Sequence, residues 1–168
     1  MPARFLETRE LPLDELTPFP GNARRGQVEI IRESLRRNGQ YRSMVVRVMP
    51  HTGAWVVLAG NHTLQAMIAE GHKTGRCELI ECSDDEARRV NLVDNQASDL
   101  AVNDTEALLE LLGSLDDGLE GTGFTDADME ALLAAPPAAE PGAESDQPRL
   151  DEKSPVTCPE CGHEFVPG

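Results

Sequence analysis

Met44-Val45-Val46-Arg47-Val48-Met49 and Ala54-Trp55-Val56-Val57-Leu58 flank the turn Pro50-His51-Thr52-Gly53, and Ala59-Gly60-Asn61-His62-Thr63-Leu64 follows without a break. Two apolar, β-branched runs around a Pro/Gly turn predict a β-hairpin. Gly60 then ends the second strand, and the polar residues after it open a short helix. Leu64, Met67 and Ile68 are expected on one face of that helix, and Gly71 closes it. A strand that turns through glycine into a helix leaves the first helical N–H groups unpaired at the positive end of the dipole, where a phosphate can sit. Asn61 and Thr63 can donate hydrogen bonds. His62 can donate, accept or shuttle a proton, which makes it the candidate catalytic residue. The alternative reading of the same residues is that Asn61 merely caps the helix.

Upstream, Leu11 to Leu16 alternates as a short edge strand, and Thr17-Pro18-Phe19-Pro20-Gly21-Asn22 is a turn-rich connector. Val28, Ile31 and Leu35 then recur at helical spacing, predicting a helix over 26–38 with Gly39 as its stop. Within it Glu33 is expected to pair with Arg36 and Arg37. Downstream, Arg76 to Cys82 reads as a strand, with Cys77 and Cys82 directed to opposite faces. Ser83-Asp84-Asp85-Glu86 is a capping box that starts a helix through about Ala97. Asn103 is expected to cap a helix over 104–115, and Thr125 another over 126–134. The order defines an α+β fold: a small mixed sheet with flanking helices over residues 8–100, then an acidic helical extension over 101–134. Residues 135–157, rich in Ala, Pro and acid, read as a disordered linker, and 158–168 as a cysteine-bearing tail.

Composition sharpens this. The 168 residues carry a net charge of −15, are 39% hydrophobic and only 4% aromatic. An acidic average argues against non-specific binding to nucleic acid or anionic membranes, but the charge is polarised. Residues 1–91 have a net charge of +1 and residues 92–168 of −16, while Gly21 to Arg47 holds seven arginines against Glu29 and Glu33. An anionic ligand near those arginines is the functional reading. Arg24 and Arg25 stand where the helix dipole would prefer acids, which points to phosphate binding. No apolar run approaches the roughly 18 residues that span a bilayer, and 1–10 has no signal-peptide core. The expected setting is the cytoplasm of a bacterium or a phage-infected host.

Taken together, Asn22-Ala23-Arg24-Arg25, the helix ending Asn38-Gly39, Met44-Val45-Val46-Arg47 and Gly60-Asn61-His62-Thr63 with Ala66 resemble the ParB/sulfiredoxin-like domain, also known as the ParB-like nuclease domain. The likeness is to its phage and actinobacterial type and spans about residues 10–100. Glu86-Ala87-Arg88-Arg89-Val90-Asn91-Leu92-Val93-Asp94-Asn95-Gln96 and Gly121-Thr122-Gly123-Phe124 are similar to segments of phage ParB-like proteins, some of which precede a DNA methyltransferase. The sequence departs from the pattern at Ala23 (usually Pro), at Arg42-Ser43 (often Gln-Pro) and at Thr63, which stands where the box ends in Arg. Sulfiredoxins carry a catalytic cysteine at the position of Asn61, so their reductase chemistry is excluded.

The resemblance implies a site for a nucleotide, CTP or another with Mg²⁺, or for DNA phosphate, built from Asn22, Arg24, Arg25, Arg42, Gly60, Asn61, His62 and Thr63. It also implies DNA or a DNA-modifying protein as partner, and a homodimer. Two other readings stand beside it: a non-catalytic adaptor or DNA mimic acting through its acidic helices, and a Mg²⁺-dependent nuclease or nucleotide triphosphatase. For a nuclease, residues 10–70 offer Asp14, Glu15, Glu29, Glu33 and Glu70, in no recognisable two-metal motif.

Cys158-Pro159-Glu160-Cys161-Gly162 has the form of one zinc knuckle, with His163 as a nearby third donor. Four ligands are needed. A site shared by two chains, a site completed by another protein, and no metal all remain open at this level.

Overall fold

The computed structural model describes residues 2–23, 25–134 and 156–165. The chain divides into two compact units, 1–134 and 135–168. The first is built on a five-stranded mixed sheet. Its strands are β1 (Arg4–Pro12), β2 (Leu16–Pro18), β3 (Met44–Val48), β4 (Trp55–Ala59) and β5 (Thr74–Glu81), in the spatial order β1-β5-β3-β4-β2. The predicted hairpin is present: β3 and β4 run antiparallel, with Val46 opposite Val57. β5 lies parallel to β3, and the short β2 parallel to β4.

Residues 11–16 do not form the single strand expected. β1 ends at Pro12, a 3-10 turn spans Leu13–Glu15, and β2 begins at Leu16. The longer part of β1, residues 4–10, is exposed throughout and pairs antiparallel with β5. Backbone bonding rather than burial holds it, so it leaves no apolar pattern to read.

Because successive strand residues face opposite sides, the sheet carries two cores. On one face Val46, Val57, Cys77 and Leu79 pack with Leu11, Leu13, Leu35, Leu64 and Met67 under α1 (Val28–Asn38) and α2 (Asn61–Ala69). On the other face Leu58, Ile80, Cys82 and Ala87 pack beneath α3 (Asp84–Leu100). Cys77 and Cys82 therefore lie on opposite faces, both buried and unpaired. Burial pushes the Cys77 thiol up to about 11. Ile68, expected on the packed face of α2, is exposed.

The helix boundaries follow their caps. Ser83 and Glu86 form the reciprocal capping box of α3, and Gly39 closes α1 by donating its N–H to the Leu35 carbonyl at 3.0 Å. α4 (Thr105–Gly113) is capped by Asp104 and not by Asn103, since the Asp104 carboxylate accepts from the Ala107 N–H at 3.0 Å. α5 (Asp126–Ala134) begins after Thr125, which exchanges hydrogen bonds with Asp128.

The arginines of α1 are mostly neutralised within the fold. Arg32 (2.6 Å) and Arg36 (2.8 Å) both reach Glu70 just beyond α2 and tie the two helices together. The Arg32 hydrogen bond, with Arg36 beside it, holds the Glu70 carboxyl below its ordinary value. Glu29 takes up Arg32 as well, at 2.8 Å. Glu33 does not pair with Arg36 or Arg37 as the helical spacing suggested. It accepts the Gly121 N–H at 2.9 Å, while Arg37 pairs with Asp117.

In the second unit, β6 (Val156–Thr157) pairs antiparallel with β7 (Glu164–Phe165). Val156 and Thr157, assigned to the linker from sequence, are thus strand. The rest of the expected linker, residues 135–155, lies outside the described residues.

Candidate functional site

The hairpin, α1 and α3 converge at the start of α2. Gly60 occupies the left-handed region (φ +89°) and serves as the N-cap, offering no side chain to the helix end. A Cβ at this position would sit 3.1 Å from the Met44 side chain, so both conformation and space favour glycine. Helix geometry leaves the N–H groups of Asn61, His62 and Thr63 without intrahelical partners. These residues line a cleft of about 430 Å³. Gly60, Asn61, His62 and Thr63 form its floor, Asn38 to Ser43 and Asn22 line one side, and Asn91, Asp94 and Asn95 of α3 line another.

The side chains of the box face inward. Asn61, buried, accepts the Phe19 N–H at 2.9 Å. The His62 Nε2 accepts the Gly26 N–H at 2.9 Å, which assigns the ring proton to Nδ1. Gly26 lies flat against that ring: a Cβ there would be 2.9 Å from His62 Nδ1. Asn61 and His62 thus clamp both ends of the loop that carries Arg24 and Arg25. Asn91, also buried, donates to the Leu58 carbonyl at 2.8 Å and fixes α3 to the strand end that leads into the box.

The expected cations are placed unevenly. Arg42 lines the cleft but forms a 3.3 Å ion pair with Asp94, with side chains 73% and 34% exposed. An exposed pair of this kind is worth about 0–1 kcal/mol, so it can open for a ligand. Arg25 is exposed and has no acidic partner among the described residues. Arg24 lies outside them. Asn22 and Thr63 both line the cleft.

One wall was not legible. Gly121 and Thr122 line the cleft from the extension. Gly121 is fastened to α1 through Glu33 and through the Asn38 Nδ2, which donates to the Gly121 carbonyl at 3.0 Å. The Gly-Thr-Gly-Phe run was visible in the sequence, but nothing in it indicated where it docks. Gly26 was missed likewise; its one signal is a glycine immediately before a helix start. In the tail, Cys158, Cys161 and His163 do not make a three-ligand centre. Among the described residues no three His, Cys, Asp or Glu side chains converge as a metal site. No helix of the described residues is long and apolar enough to cross a membrane.

The five-stranded mixed sheet and the glycine-capped helix that opens at the cleft belong to one α+β unit. The sequence model of the ParB N-terminal domain matches residues 4–96, and the chain belongs to that family. Among solved structures, C-terminally truncated ParB from Caulobacter crescentus, complexed with CTP-γ-S, is similar at a TM-score of 0.57 and 22% identity. That match covers 76% of this chain and 71% of that one. The same ParB complexed to the centromeric parS site gives 0.45 and 23%, over 76% and 65% of the two chains. Sulfiredoxin from Arabidopsis thaliana gives 0.43 and 22%, over 51% and 97%. No curated protein matches the chain.

Proposed function

We propose that the cleft at the start of α2 binds a nucleoside triphosphate. The observation that carries this reading is the cleft itself: a cavity of about 430 Å³ lined by the first residues of a glycine-capped helix, whose N–H groups have no intrahelical partners. The family assignment and the CTP-γ-S bound to the Caulobacter protein of the same fold support it. In this reading the N–H groups of Asn61, His62 and Thr63 receive phosphate oxygens, with the Thr63 hydroxyl as an added donor. Thr63 supplies no charge where the box usually has arginine. Arg25 and Arg24 on the clamped loop, and Arg42 once released from Asp94, provide it instead. Asp94 is the one carboxylate among the cleft-lining residues. A Mg²⁺ ion there would take its other ligands from phosphate and water.

His62 then acts as a positioning residue, since its Nε2 is committed to the Gly26 N–H. The acidic extension and the 158–168 tail are the parts available to partners, a DNA-modifying protein or a second copy among them.

A thermal-unfolding panel with CTP, ATP, GTP and short duplex DNA, each with and without Mg²⁺, tests the reading. At a hundredfold excess over its Kd, a true ligand should stabilise the protein by about 2.7 kcal/mol, and Arg24→Ala with Arg25→Ala should remove most of that gain. A panel in which no triphosphate raises the transition would overturn the proposal. A rise with duplex DNA alone would favour a DNA-phosphate site instead.

A further inference from the structure

The tail has a geometry that the cleft does not use. β6 and β7 form a short hairpin whose turn is Cys158-Pro159-Glu160-Cys161-Gly162-His163. The Cys158 N–H donates to the His163 carbonyl, and the Gly162 N–H to the Cys158 carbonyl, both at 2.9 Å. Gly162 takes φ +71°, and a Cβ there would meet nothing within 4 Å, so the left-handed backbone rather than space calls for glycine. Cys161 is exposed and Cys158 half-buried. A tight, backbone-bonded turn presenting two thiols three residues apart is the arrangement that grips a thiophilic divalent cation.

Two thiolates satisfy half of a tetrahedral site. The chain holds four cysteines. The other two cannot help, because Cys77 and Cys82 are buried on opposite faces of the five-stranded sheet. His163 uses its backbone to close the turn and does not gather with the two thiols as a third ligand. A tetrathiolate site can therefore be made from this chain only by pairing two tails.

We propose that Cys158 and Cys161 form one half of a zinc site that the same two cysteines of a second copy complete. Each thiol gives its proton to solvent as the metal–sulfur bond forms, and no oxidant or reductant is involved. The bridge is a small contact, so the metal and not a buried area holds the copies together.

The experiment uses the full, reduced chain titrated with Co²⁺ as a spectroscopic stand-in for Zn²⁺, followed by Zn²⁺ displacement and by mass measurement with light scattering. The expected result is intense thiolate-to-cobalt absorption saturating at one ion per two chains, with a doubling of mass that a chelator reverses. Cys158→Ser or Cys161→Ser should abolish both signals, and His163→Ala should leave them in place. Thermal unfolding of each variant reports whether the first unit remains folded. One ion per monomer, loss of the site in His163→Ala, or no binding would each overturn the proposal.

Discussion

Gly121→Ala is expected to release the segment around residues 117–123 from α1 while the sheet stays folded. Gly121 holds φ +78°, and an added Cβ would lie 2.7 Å from the Arg37 Cβ and 2.8 Å from its Cγ. These are stem atoms of a helical residue and cannot swing aside as a side-chain end would. The left-handed conformation costs a non-glycine residue about 1–2 kcal/mol. The clash also breaks the hydrogen bonds to Glu33 and Asn38, each worth roughly 0.5–1.5 kcal/mol. A local loss of about 2–5 kcal/mol follows from these terms, enough to loosen a segment otherwise held to α1 by the exposed Arg37–Asp117 pair and by Gly123 against Ile30. Hydrogen exchange should show faster exchange across residues 117–123 with the sheet strands unchanged. Nucleotide affinity should fall about tenfold or more as the wall opens. Wild-type protection in this segment would show that Gly121 does not fasten it.

The second large effect is expected at Asn61. Asn61→Ala strands the Phe19 N–H, which is partly buried, and frees one end of the arginine-bearing loop. Leaving such a donor unsatisfied costs about 1–3 kcal/mol, and in a unit of this size each kcal/mol lowers the Tm by roughly 3–5 °C. Asn61→Asp keeps an oxygen for Phe19 and suits the helix N-terminus, but it gives up the Nδ2 bond to the Leu58 carbonyl at 3.5 Å and buries a charge. Its Tm should therefore fall too, while the Phe19 N–H stays paired. Its charge also stands at the cleft floor and should abolish triphosphate binding. An Asn61→Ala protein with wild-type Tm would contradict the clamp, and an Asn61→Asp protein that still binds would contradict the cleft.

How much of this was readable depends on the range of the interaction. The hairpin, the glycine turn at Gly60 and the capping box at Ser83 declare themselves because their physics is local: alternation, left-handed backbone, and a side chain three residues away. The charge of the arginine segment is only partly readable because several of its partners are distant in sequence. Glu70 takes up Arg32 and Arg36, Asp84 takes up Arg47 at 2.7 Å, and Asp117 takes up Arg37. A count of charges between Gly21 and Arg47 registers none of these neutralisations. Arg47 is the extreme case, since it is buried on the α3 face and its Nε has no partner among the described residues.

The candidate site divides in the same way. Asn22, Arg42 and the Gly60–Thr63 floor follow from the sequence pattern and do line one cleft. The loop clamp and the extension wall depend on contacts at separations of 36 to 88 residues. No helical or strand periodicity encodes those. His62 shows the consequence: its chemistry suggested a proton shuttle, whereas its geometry shows a nitrogen already engaged by a glycine amide.

A triphosphate seated on the amides at the start of α2 would be seen by an amide-resolved NMR titration of the full chain with CTP and Mg²⁺, repeated with ATP and GTP. The Asn61, His62 and Thr63 amide resonances should shift most, with Gly26 and Thr122 following, while those of Cys158 to His163 stay still. A saturating nucleotide that leaves the three box amides unmoved, or that moves only amides outside the cleft, would contradict that seating.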